Sequence, residues 1–399
     1  MTEGRLVSRR IVTEAGSLRR LLLLVGRTGV AMASMVVLAL TGYGWTLSRQ
    51  FHDSLATSSA SVLDHPNRTD PAQPQLGVPL GPMNVLVVGL DSRTDNQGNP
   101  LPQQVLAALH AGGNDGELNS DTLILVHVPA EAAQPTVAVS IPRDSYVSVP
   151  GFGTHKINSA YQWGMRNAQS ELAAQGVTGP QLGQLARQAG ARELVQTVEH
   201  LTGVTLDHYV QINLAGFYEI TQAVGGIPIC LKTPVHDSYS GANFPAGPQT
   251  VSGAAALAFV RQRYGLPRGD LDRIVRQQAF LSGLAHRLLS GDVLTNPTTV
   301  AALDQAIERY VVIDPGWDLA GLIEQARSMN EGSLKFQTIP TGRIDLPTPD
   351  GEAVQVDPEQ VQQFIADLTS AGDQSGDVPS AAPTSRAVKP ISNSLPCVS

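Results

Sequence analysis

The chain has 399 residues, of which 42% are hydrophobic and 16% charged, with a formal net charge of −8. That length holds one large domain or two ordinary ones, with ample material for a core. The acidic balance argues against a nucleic-acid reader, whose surface is usually net basic. No zinc-ligand spacing, Ser-His-Asp order, P-loop, or GxGxxG between a strand and a helix is present.

The N-terminal residues 1–27 carry Arg5, Arg9, Arg10, Arg19 and Arg20 against Glu3 and Glu14. Residues Thr28 to Trp45, "TGVAMASMVVLALTGYGW", then lack any charge. As a helix such a segment spans roughly 27 Å, about one bilayer core. The positive leader predicts a cytoplasmic N-terminus, a transmembrane anchor over 28–47 and a single-pass protein whose remainder is extracytoplasmic. The rival reading is a cleaved signal peptide. Against it stand the length of the charged leader and the lack of a clean small-x-small site after the apolar core.

Residues 48–82 are rich in Ser, Ala, Pro and Asp without an apolar period, and read as a linker. Residues 370–399 share that composition and are expected to form a flexible tail. The two cysteines are Cys230 and Cys397. In an oxidising compartment they can pair and pin the tail to the domain; the alternative is two free thiols.

Between 83 and 369 short β-branched runs alternate with helical periods. Strands are predicted at Met83 to Leu90, Thr122 to Val128, Thr136 to Ile141, Leu206 to Asn213, Ile227 to Leu231 and Leu334 to Ile339. The first three read as buried on both faces. Helices are predicted at Gln181 to Leu201, Leu214 to Val224, Ser252 to Val260, Asp270 to Leu289, Ala320 to Met329 and Pro358 to Leu368. The alternation predicts an α/β fold, a three-layer α/β/α domain with a central mixed sheet.

In such sheets ligands sit beyond the strand ends. After the first strand stand Asp91 and Arg93, just before the second Asp121, and after the third Arg143 and Asp144. Lys156 and Asn158 follow, and then "FVRQRYGLPRGDLDRIVRQQ", Phe259 to Gln278, with five arginines and two aspartates. Carboxylates suit a divalent ion that prefers oxygen ligands, and arginines clamp phosphate oxygens. Together they suit a pyrophosphate. Each group also has a plainer reading, as turn residue, cap, local ion pair or solvated charge. His208 and His286 lack a second ligand at metal spacing and read as structural.

On a helix starting at Asp270, the residues Asp270, Arg273 and Gln277 fall within about 60° of one another, beside the stripe of Ile274, Leu281, Leu284 and Leu288. Arg261 and Arg263 join this inward set from the preceding segment. Arg268, Asp272 and Arg276 are expected on the solvated side.

The motifs resemble the LytR-CpsA-Psr family of cell-envelope proteins over about Met83 to Leu289. They are, in order, "NVLVVGLDSR", "NSDTLILVHV", "TVAVSIPRDSYV", "GTHKINSAYQWG", "VEHLTGVTLDHYVQINLAGFYEITQAVGGIPI" and "GAAALAFVRQRYGLPRGDLDRIVRQQ". Six in sequence make a specific match, and the insertion after the first looks like the actinobacterial branch. The resemblance implies a transferase that moves a glycopolymer from a polyprenyl-pyrophosphate carrier at the membrane to peptidoglycan, through a phosphodiester link. It implies Mg2+ (or Mn2+) held by Asp91 and Asp121. Arg93, Arg143, Arg261, Arg263 and Arg273 would bind the pyrophosphate, with Asp270 and Gln277 orienting them, Gln277 against the substrate as well. Asp91, Arg143, Arg263 and Arg273 would carry the catalysis, Asp91 as proton acceptor. The other readings are a non-catalytic polyprenyl-phosphate binder and a pyrophosphate hydrolase.

The topology makes one prediction. A cysteine placed at Ser58 should react with an impermeant thiol reagent added outside intact cells, and one at Ser8 should not. The reverse pattern would overturn the extracytoplasmic assignment.

Overall fold

β-Branched runs bounded by turn residues become strands because a pleated, packed surface suits their stiff side chains. The computed structural model describes residues 62–63, 82–109, 118–130, 134–289, 292–314, 334–370 and 397–399. The anchor expected at 28–47, the helix expected at Ala320 to Met329, and most of the linker and tail lie outside the described residues. Among the described residues no helix is long and apolar enough to cross a membrane.

The chain runs through β1 (Met83–Leu90), α1 (Gln103–Ala108), β2 (Ser120–Val128) and β3 (Thr136–Ile141). A hairpin of β4 (Ser145–Val149) and β5 (Gly153–Lys156) leads into α2 (Ala160–Ala174) and α3 (Gly179–Thr202). Then come β6 (His208–Asn213), α4 (Leu214–Ala223), β7 (Ile227–Leu231), β8 (Val235–Asp237), β9 (Ala242–Phe244) and β10 (Gly247–Val251). Next are α5 (Gly253–Arg261), α6 (Asp270–Leu289), α7 (Asp292–Thr295), α8 (Pro297–Tyr310) and β11 (Val311–Ile313). The last elements are β12 (Leu334–Thr338), β13 (Leu346–Thr348), β14 (Gly351–Gln355) and α9 (Pro358–Ser370).

The central sheet is mixed, with six strands in the order β11-β6-β1-β2-β3-β12. β2 is antiparallel to both β1 and β3, while β6 joins β1 and β12 joins β3 in parallel. Its two faces separate by the two-residue period of a strand. Leu86, Val88 and Leu90 point into a core with Leu194, Val195, Val198 and Leu201 of α3 and Val361 and Ile365 of α9. α3 stops at Gly203, whose φ of 72° is the left-handed cap that glycine adopts without penalty. Across the sheet α6 is tied down by Gln277 to Thr122 and by Gln278 to Ser140, at 3.1 and 3.0 Å. The layered α/β arrangement is the one that the alternation predicts. Ile227–Leu231 is a strand too, but it pairs with β10 in a separate two-stranded ribbon. This ribbon, α4, α5 and the far side of α6 enclose a second core.

Cys230 in β7 is disulfide-bonded to Cys397. Val398 then lies along β7, donating to the Cys230 carbonyl at 2.9 Å and accepting from the Lys232 amide at 2.8 Å. The main-chain oxygen of Ser399 accepts a 2.7 Å bond from Arg276 Nε, and Gln262 Oε1 accepts from Arg276 Nη1. The Arg276 guanidinium also lies over the Phe259 ring at 5.3 Å, and the residue is only 1% exposed. Burial lowers its pKa to about 10, so it stays charged at neutral pH.

This corrects the expectation that Arg276 is ordinary surface. The helical phase that turns it away from the Asp270 side is right. What it turns towards is protein: the Ser399 main chain, Phe259 of α5 and Gln262 just after that helix. Arg268 does keep the surface role, with its side chain 60% exposed and paired to Asp272 at 2.7 Å.

Arg276→Ala should therefore lower stability by about 2 to 4 kcal/mol, since it opens a cavity and strands the Gln262 and Ser399 oxygens. Arg268→Ala should cost under about 0.5 kcal/mol. Chemical denaturation of both variants checks the contrast; equal effects would mean that Arg276 does no structural work.

Candidate active site

β1 and β3 run the same way with β2 reversed between them, so the end of β1, the start of β2 and the end of β3 share one sheet edge. Leu90 stands opposite Ser120, and Leu123 opposite Ile141. A register shift between Gly89 and Leu90 turns the chain out of the ladder, and the Asp91 amide closes it by donating to the Asn119 carbonyl at 2.9 Å. Gly89 suits the close approach, since a Cβ there would lie 3.0 Å from Thr122 Cβ and that side chain would have to shift. The edge thus carries Asp91 from β1, Asp121 from β2, and Arg143 and Asp144 from the turn after β3.

The arginine-rich segment crosses this edge. Arg273, one turn into α6, places Nη2 2.6 Å from Asp270 Oδ1 and donates to the Asp121 carbonyl at 3.3 Å. Arg263 Nε and Arg143 Nε approach the same Asp270 oxygen at 3.6 and 3.9 Å. Arg143 Nη1 is hydrogen-bonded to the Asp121 carboxylate, and its Nε lies 3.6 Å from Asp144. Asp144 also meets Lys156 at 3.6 Å, and Arg93 lies 3.9 Å from Asp91. The structure therefore gathers Asp91, Arg93, Asp121, Arg143, Arg263, Asp270 and Arg273 in one place.

Arg261 and Gln277 stand at its margin. Arg261 donates to the Leu109 carbonyl at 3.2 Å, although its charge still reaches Asp91. Gln277 Nε2 donates to Thr122 Oγ1 at 3.1 Å and to the Val260 carbonyl at 3.4 Å, so it braces α6 against β2 and α5. Sequence reasoning missed its neighbour. Gln278 donates to Ser140 Oγ, the Gln337 carbonyl and Thr338 Oγ1 at 3.0, 3.0 and 3.2 Å, bolting α6 to β3 and β12. The available signal was an amide beside Ile274 on the apolar side of a helix, where an unpaired polar group is costly. His208 is structural, its Nδ1 2.9 Å from Asp314.

The charges act on one another. Burial pushes the Asp121 carboxyl up, but Arg143, Arg273 and Arg263 together hold it below the usual carboxylate range. Burial also pushes Asp91 up, Asp121 adds to this, and Arg93, Arg261 and Arg143 only partly offset it. Arg143 is lowered by burial yet ends above its ordinary value, because Asp121, Asp144 and Asp270 surround it. Burial lowers Arg273 to about 10 and, with Arg143 nearby, lowers Arg263 as well. Guanidinium groups crowded in this way, with carboxylates holding them apart, form a receptor for a multiply charged anion.

Among the described residues no group of three or more His, Cys, Asp or Glu side chains is placed to hold a metal. Two carboxylates do converge, and Asp91 Oδ1 is buried without a hydrogen-bond donor. An orphaned buried carboxylate oxygen within electrostatic reach of a second carboxylate fits a hard cation that takes its other ligands from water and phosphate.

The opposed shifts make a prediction in metal-free protein. The folded pKa of Asp91 is raised, so its ionisation costs stability as pH rises through that value. Asp91→Asn should therefore raise the melting temperature near neutrality and lose this advantage in acid. The folded pKa of Asp121 is lowered, so its contribution is present above the unfolded value and lost as pH falls through the folded one. Asp121→Asn should destabilise near neutrality. Melts of both variants from about pH 3 to 8 test this; an unchanged profile for Asp91→Asn would show that the Asp91 carboxyl is not raised.

The LytR_cpsA_psr family model matches residues 51–369 of the chain. The cell wall biosynthesis protein LcpA of Corynebacterium glutamicum is 40% identical over 348 residues, covering 86% of this chain and 65% of LcpA. The polyisoprenyl-teichoic acid–peptidoglycan teichoic acid transferase TagU of Enterococcus faecalis is 33% identical over 205 residues, 50% of this chain and 58% of TagU. The chain thus spans less than two thirds of either relative's own length. The crystal structure of Bacillus subtilis TagV matches with a TM-score of 0.53 at 21% identity, over 74% of this chain and 99% of TagV, and has the same fold. With a family match over most of its length and the expected fold around it, this chain belongs to the LytR_cpsA_psr family.

Proposed function

We propose that the protein transfers a glycopolymer from a polyprenyl-pyrophosphate carrier to peptidoglycan, forming a phosphodiester link and releasing polyprenyl phosphate. The observation that carries this reading is the convergence of Arg143, Arg263 and Arg273 on one Asp270 oxygen, with Arg273 only 3% exposed. Desolvated guanidinium groups aimed at one spot act far more strongly on phosphate oxygens than exposed ones. The names of LcpA and TagU point to the same chemistry, and TagT, which shares the fold at a TM-score of 0.51, has been solved bound to LI-WTA.

The residues divide the work. Arg143, Arg263 and Arg273 bind the pyrophosphate and offset charge growing on its bridging and leaving oxygens. Arg93 and Arg261 extend the positive wall on the Asp91 side. Asp270 keeps the three central arginines oriented, and Gln277 holds the helix that presents Arg273. A sugar hydroxyl of peptidoglycan attacks the phosphorus next to the glycan, the P–O bond to the polyprenyl phosphate breaks, and the hydroxyl proton passes to a carboxylate. Asp91, whose proton affinity is raised, suits that role. Asp91 and Asp121 would hold Mg2+ (or Mn2+), which when bound supplies Lewis-acid neutralisation of phosphate oxygens. Residues 28–47 would anchor the chain as a single span, keeping an extracytoplasmic domain beside its lipid-linked substrate.

The test is incubation of the full chain with a labelled lipid-linked glycan and peptidoglycan, with and without EDTA. Label should move to peptidoglycan, and EDTA should stop it. Retention of intact lipid would indicate a binder instead, and free glycan phosphate a hydrolase. Arg263→Ala and Arg273→Ala should each slow transfer by roughly tenfold to several-hundredfold. Arg263→Lys should rescue poorly, because an ammonium cannot fork across two oxygens. If neither alanine variant matters in well-folded protein, the clamp must be abandoned.

A further inference from the structure

Two tyrosines, one of them the chain neighbour of Arg263, are exposed and stacked on each other. Tyr239 is 75% and Tyr264 61% exposed, the highest values among the large hydrophobic side chains described. Their rings lie 4.4 Å apart, inclined by 26°. A single exposed tyrosine needs no explanation. A pair assembled from segments 25 positions apart and left facing solvent does, because ordering two side chains costs entropy that little burial offsets.

Buried polar groups hold the main chain of both in place. Asp237, 5% exposed, accepts from the Tyr239 amide at 3.0 Å and from Ser240 Oγ at 2.6 Å, fixing the turn between β8 and β9. Gln262, 2% exposed, donates to the Tyr264 carbonyl at 2.9 Å, and the same side chain accepts from Arg276. The arrangement is therefore prepared in the free protein. Tyr264 also directly follows Arg263, whose Nε lies 3.6 Å from Asp270 at the centre of the clamp.

We infer that Tyr239 and Tyr264 form a stacking platform for the donor glycan, gripping the sugar rings nearest the pyrophosphate. An aromatic face is electron-rich and pairs with the weakly positive C–H face of a pyranose, while a phenol hydroxyl can bond to ring substituents. The donor is favoured over the acceptor by covalent reach. Its first sugar is bonded to the phosphate that the arginines hold, and Tyr264 is the chain neighbour of one of those arginines, Arg263. The inference rests on the transferase reading above, and it assigns to that site a saccharide-specificity element outside the arginine and aspartate set.

The experiment measures binding of two soluble probes to the full chain with Mg2+, farnesyl diphosphate and farnesyl-diphosphoryl-N-acetylglucosamine. Wild type should bind the sugar-bearing probe more tightly. Tyr239→Ala and Tyr264→Ala should each weaken that probe by about tenfold and leave farnesyl diphosphate unchanged, while Tyr264→Phe keeps most of the affinity. Equal affinity of wild type for the two probes would overturn the platform and leave the clamp standing. Variants that keep the sugar-diphosphate affinity but lose that for a soluble peptidoglycan fragment would overturn the donor assignment. If neither diphosphate binds, or Arg263→Ala binds both as wild type does, the transferase reading itself falls and the platform with it.

Discussion

Like charge concentrated at one sheet edge is the constraint on which this structure depends. Arg143, Arg263 and Arg273 repel one another, and burial strips away the water that would screen them. They stay together because a single oxygen of Asp270 lies 2.6 to 3.9 Å from all three, with Asp121 and Asp144 behind. Asp270 opens α6, where a carboxylate also gains from the helix dipole. The orientation of α6 then governs the whole arrangement. Gln277 and Gln278 fix it by binding β2, β3 and β12.

The same helix presents arginines to two different environments. Arg273 faces the sheet edge. Arg276, three residues on, is enclosed by Phe259, Gln262 and the Ser399 main chain. The first is held by carboxylates and remains available to an anion. The second is buried, with Nε and Nη1 bonded to the Ser399 and Gln262 oxygens and its guanidinium over an aromatic ring, which makes it a structural cation. The disulfide from Cys230 to Cys397 brings the chain segment that completes this enclosure. Gln262 belongs to both sides, since it binds Arg276 and steadies the Tyr264 backbone next to Arg263.

Asp91 and Asp121 show how environment divides identical groups. Both are carboxylates at adjoining strand ends, yet their proton affinities move in opposite directions. Asp121 is in direct contact with Arg143 and stays ionised. Asp91 is raised first by burial and then by its twin's charge, with Arg93 no nearer than 3.9 Å. A pair separated in this way suits a site where one carboxylate anchors and the other exchanges a proton or meets a cation.

Local chemistry by itself determined the strands at Met83–Leu90 and Thr136–Ile141, the helix over Asp270–Leu289 and the inward side of that helix. These signals are short-range: the two strands are short β-branched runs bounded by turn residues, and the helix is long enough to express its period. The charged site was legible for the same reason, because acidic and basic residues stand where strands end. Tertiary structure alone decided what lies across from each face. Ile227–Leu231 has the composition of a sheet strand, but its partner is β10, and pairing is a long-range choice that composition does not encode. Arg276 has the phase of a surface residue, but the segment at Cys397 to Ser399, more than a hundred positions away, closes over it. Helical phase fixes direction. Whether that direction leads to water or to protein depends on where the remainder of the chain packs.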